Sequence, residues 1–84
     1  MPTLLNINGF RIIIWPDDHQ PPHVHVFRGR GEAKILIGND NEPPRLMTIY
    51  GLSKQEARNA WTMVAEHQDE LLTAWRCIHG NLDN

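Results

Sequence analysis

The sequence predicts an α+β domain, a small antiparallel sheet in the N-terminal half packed against one long or two shorter C-terminal helices. Three observations predict it. Two turn signals, Asn8-Gly9 and Gly29-Arg30-Gly31, each separate short runs rich in β-branched residues. Ser53-Lys54-Gln55-Glu56 has the form of a capping box, in which the serine hydroxyl and the glutamate carboxylate exchange hydrogen bonds with each other's backbone amides. After it, apolar residues recur every three to four positions, the period of a helix with one buried face.

Leu4 to Ile7 and Phe10 to Trp15 flank Asn8-Gly9, which takes the positive φ angles of a tight hairpin turn. Val24 to Arg28 and Ala33 to Ile37 form a second hairpin around Gly29-Arg30-Gly31, and the Gly38 to Pro44 stretch is a loop. Leu46 to Tyr50 adds a short strand. From Lys54 the stripe Ala57, Ala60/Trp61, Val64, Leu71/Leu72, Trp75 and Ile78 runs to His79-Gly80. One helix over this span would be roughly 39 Å long, more than a domain of this size is wide. A break near His67-Gln68 is therefore expected, with Asp69 capping a second helix. Trp61 and Trp75 lie on the stripe and are expected to be largely buried, and Trp15 closes an apolar strand. Stacking on nucleic-acid bases is the competing use of these three rings.

At 84 residues the chain is expected to be one domain, β-rich over 1–50 and helical over 53–79. Domains this small bury a modest share of their surface, so a homo-oligomer or another partner chain is expected to add stability, the more so with an exposed sheet edge. A net charge of −2 excludes a globally basic surface, so any contact with RNA must be a local patch. Arg28, Arg30 and Lys34, close in sequence to the histidines, are the candidates for binding a phosphate-bearing substrate. Cys77, the only cysteine, excludes an intramolecular disulfide. The longest apolar stretch, Ile12 to Trp15, is too short for a signal peptide or membrane span; the expectation is a cytoplasmic protein with no membrane partner.

The densest chemistry is Asp17-Asp18-His19-Gln20-Pro21-Pro22-His23-Val24-His25, which holds three of the five histidines. His23 and His25 are two apart in a strand-forming run, so both imidazoles share a face, roughly 6.5–7 Å apart along the chain, while Val24 and Val26 face the core. Pro21 and Pro22 stiffen the lead-in. A turn after Trp15 can fold Asp17, Asp18 and His19 back against that face. Two chemistries follow. His19, His23 and His25 with Asp17 or Asp18 can ligate a divalent metal such as zinc. Alternatively His19, His23, His25 and Asp18 can perform acid–base catalysis on a phosphodiester, a ribonuclease-type activity in which Arg28, Arg30 or Lys34 stabilises phosphate charge. The bland alternative is that the histidines only hydrogen-bond their neighbours and hold the proline turn. His79, in the last helical turn, reads as a partner of the helix dipole.

The opening Met1-Pro2-Thr3, the motif Asp18-His19-Gln20-Pro21-Pro22-His23-Val24-His25, the segment Gly31-Glu32-Ala33-Lys34 and the closing Leu71-Leu72-Thr73-Ala74-Trp75 resemble a widespread bacterial family, domain of unknown function 4160. The resemblance spans nearly the whole chain. It implies the toxin-like component of a two-protein toxin–antitoxin module, acting on RNA or the translation apparatus and neutralised by a cognate antitoxin-like protein from the same operon. The family carries no settled catalytic residues; the motif positions Asp18, His19, Pro21, Pro22, His23, His25, Glu32 and Lys34 transfer as candidates only. The runner-up function is a non-enzymatic interaction or metal-binding module whose histidines are structural.

Overall fold

The computed structural model describes residues 3–79. Five strands, β1 (Thr3–Ile7), β2 (Phe10–Ile14), β3 (His23–Arg28), β4 (Gly31–Leu36) and β5 (Arg45–Tyr50), precede two helices, α1 (Lys54–Glu66) and α2 (Gln68–His79). The strands form one antiparallel meander in the order β1-β2-β3-β4-β5. The α+β reading holds. Asn8 (φ 53°) and Gly9 (φ 83°) both take the left-handed backbone of the two-residue turn expected between β1 and β2. At the β3–β4 turn Gly29 alone has positive φ, 57°. The neighbouring Gly31 is required for space, since a Cβ there would lie 2.6 Å from the Gly51 carbonyl oxygen.

Strand alternation divides the sheet into two faces. Phe10, Ile12, Ile14, Val24, Val26, Ala33 and Ile35 point to one side and are buried with Ala60, Met63, Val64, Leu71, Leu72 and Trp75 of the helices. The other face carries Ile13, His25, Phe27, Glu32, Lys34 and Leu36, all half-buried, and at its end His23, which is buried.

Both halves of the Ser53–Glu56 capping box are formed. The helical segment breaks at His67, as expected from the length of an uninterrupted helix. Asp69 is not the cap: α2 begins one residue earlier, at Gln68, which places Asp69 inside the first turn, where its charge faces the helix N-terminus. His67 instead donates from Nδ1 to Glu70 Oε1 at 2.9 Å. Trp75 is buried as expected. Trp61 is only half-buried, because its ring lies at the sheet margin where Nε1–H donates to the Pro44 carbonyl at 2.7 Å. The loop before β5 is tied to α2 by Gln68 Nε2, which donates to the carbonyls of Ile37 and Glu42, each at 2.9 Å. Among the described residues no helix is long and apolar enough to cross a membrane. Gly80 lies outside the described residues.

Candidate metal centre

The site forms where pairing between β2 and β3 stops, at Ile13↔His25. Beyond that point the chain turns back: Asp18 N–H donates to the Trp15 carbonyl at 3.2 Å, and Trp15 N–H donates to Asp18 Oδ2 at 3.3 Å. The reciprocal pair aims the Asp18 carboxylate at β3. There it meets His23 Nε2 at 3.3 Å and His25 Nε2 at 3.5 Å.

The histidines share a face, as their spacing requires, and their rings meet edge to face with centroids 5.2 Å apart. Each ring is oriented by an acceptor on its far nitrogen. His23 Nδ1 lies 2.9 Å from the Pro21 carbonyl. A carbonyl can only accept, so Nδ1 carries a proton, and in the neutral ring Nε2 is the nitrogen with the free lone pair. His25 Nδ1 lies 3.5 Å from Glu32 Oε2, a carboxylate that favours the same tautomer. Three atoms able to ligate a cation, Asp18 Oδ2, His23 Nε2 and His25 Nε2, converge within 4.8 Å of one another. His25 Nε2 is buried without a hydrogen-bond partner. Lone pairs brought together in a partly buried place repel unless a cation, whether proton or metal ion, sits between them.

Behind the site stands the end of α2. Trp75 contacts His23, ring centroids 5.3 Å apart, and stacks on His79 at 3.8 Å; its own Nε1–H has no acceptor. His79 is more than a dipole partner. It is buried, with Nδ1 3.0 Å from the Trp75 carbonyl and Nε2 3.0 Å from the Trp15 carbonyl. The second contact pins the residue whose amide holds Asp18.

The remaining sequence candidates separate. Asp17 and His19 are exposed and stand outside the three-residue cluster. Arg28 lies three residues from His25 on the same strand, hence on the opposite, helix-facing side, where it covers the Phe10 ring at 5.2 Å and pairs with Glu56 at 3.9 Å. That opposition was readable from strand parity. Arg30 is exposed in the β3–β4 turn. Lys34 stands directly across from His25, on the same face. Glu32 carried no assigned role on spacing grounds, because its position beside His25 depends on the β3–β4 register.

A partly buried cluster of two histidines and one carboxylate, of a kind that could hold a metal ion, defines the class of the site. The family follows from residues 9–76, which match the family model described as Domain of unknown function (DUF4160), and the chain belongs to that family. No curated protein matches the chain. No solved structure matches it either.

Proposed function

We propose that the protein is a divalent-metal protein whose ligands are Asp18 Oδ2, His23 Nε2 and His25 Nε2, with zinc the ion best suited to that donor set, and that this centre is its working site. The observation that carries the reading is the convergence of three possible ligand atoms, one of them a buried imidazole nitrogen without a hydrogen-bond partner. The Pro21 carbonyl and the Glu32 carboxylate, on the opposite ring nitrogens, are the outer contacts that metal-bound imidazoles ordinarily have. Three protein ligands are the number found at catalytic zinc sites, where the fourth position is left for water or substrate; structural sites close with four. Bound zinc would supply a water ionised near neutral pH.

The setting we assign is the toxin-like half of a two-protein module acting on RNA, which the family resemblance supports and for which a metal-activated water is a suitable nucleophile. A growth-arrest assay tests it. Expression without the neighbouring gene should arrest growth. The His23→Ala and His25→Ala proteins should fold and bind the neighbouring gene product, yet fail to arrest growth. Arrest undiminished in both variants would contradict a working role for the site and leave the histidines as a brace for the proline turn.

A further inference from the structure

We propose that the exchangeable ligand of this centre is a phosphodiester monoanion, held against the ion by Lys34, which is thus a substrate-positioning residue. The inference rests on the metal reading and adds a ligand class to it. Lys34 is the register partner of His25, so the two side chains rise from the same face with Cβ atoms about 4.5–5.5 Å apart. No carboxylate lies within ion-pair distance of Lys34 among the described residues. The acid nearest to it in sequence on that face, Glu32, is turned to His25 Nδ1. Thr48, exposed and opposite Lys34 on β5, adds a hydroxyl to the same row.

The other cations are committed elsewhere or farther away. Arg11 donates to the Gly29 carbonyl and lies over the Phe27 ring. Arg28 is on the opposite face, and Arg45 is two strands from His23, across Leu36. Charge selects the ligand. A divalent ion, the carboxylates of Asp18 and Glu32 and the ammonium of Lys34 leave one positive charge, which a monoanion neutralises and a dianion exceeds. A phosphodiester carries one negative charge and two free oxygens, one for the ion and one for Lys34.

Cobalt(II), which takes the same ligands and absorbs visibly, provides the test. Dimethyl phosphate titrated into the cobalt-loaded protein should shift the cobalt band. Lys34→Met should bind cobalt as tightly as the parent and dimethyl phosphate roughly 10–100-fold more weakly, as expected for loss of a hydrogen bond between charged groups. Lys34→Arg should recover part of that loss, and Arg28→Met should change nothing. Equal dimethyl phosphate affinity in the parent and Lys34→Met would overturn the inference while leaving the metal centre standing. A parent protein that takes up no cobalt would overturn both. A ribodinucleotide should bind more tightly than dimethyl phosphate; a deoxyribodinucleotide that binds equally well would overturn RNA as the source of the diester.

Discussion

The two sides of β3 are built for different ends. Val24 and Val26 are completely buried against the helices, whereas His23 and His25, alternating with them, present their Nε2 atoms to Asp18. Each valine removes apolar surface from water, worth about 1.5–3 kcal/mol when complete. The histidines differ in kind, since each ring, though largely buried, is turned by an acceptor on one nitrogen so that the other meets Asp18. One short strand therefore separates stability from chemistry by side-chain parity alone. Substitutions on the two sides should be distinguishable by which measurement they move.

The largest effect should come where the two sides meet. Trp75 fills the core and touches both His23 and His79, so Trp75→Ala should cost about 3–5 kcal/mol, enough to unfold much of the protein in a denaturant or thermal melt. A loss under 1 kcal/mol would break the division between the faces. On the other side, His25→Ala should leave the metal-free melting curve within about 1 kcal/mol of the parent, while zinc affinity falls more than about 100-fold, a larger loss than an outer-contact substitution causes. Glu32→Gln should be milder, lowering zinc affinity roughly 10-fold, because it disturbs only the carboxylate that orients His25.

The smallest effect belongs to the helix cap, remote from both. Ser53→Ala should cost about 1 kcal/mol. The Glu56 carboxyl is held below its ordinary value of 4.5, chiefly by the Ser53 backbone amide, with the Ser53 hydroxyl and Arg28 adding to it. A lowered folded-state value means the contribution is fully present above the ordinary value and is lost as pH falls through the lower, folded one. Comparing Glu56→Gln with the parent across that acidic range should show the stability difference shrinking toward low pH. A difference that grows instead would contradict the cap assignment.

Local chemistry made most of the fold legible. Asn8-Gly9 specifies a turn through backbone geometry, the Ser53–Glu56 box specifies a helix start, and the histidine spacing specifies a shared face; none of these depends on distant partners. What was not legible depends on tertiary placement. Asp17 and Asp18 are equivalent in composition, and only the turn that exchanges hydrogen bonds with Trp15 selects Asp18. The approach of Glu32 to His25 follows from the β3–β4 register, and the burial of His79 from the docking of α2 against Trp15. Arg28 is the instructive miss, since nearness in sequence outweighed a parity that placed it behind the sheet.

The central claim is that Asp18, His23 and His25 hold a metal ion. The direct measurement is calorimetric titration of zinc into the metal-free protein, repeated in buffers of different ionisation enthalpy and at progressively lower pH. The account predicts one ion per chain, release of protons on binding, and affinity that weakens as the solution is acidified, because imidazole must be neutral to ligate. It also predicts that Asp18→Asn, His23→Ala and His25→Ala each remove most of the binding. Absence of a one-to-one isotherm, or an isotherm unchanged in all three variants, would contradict it.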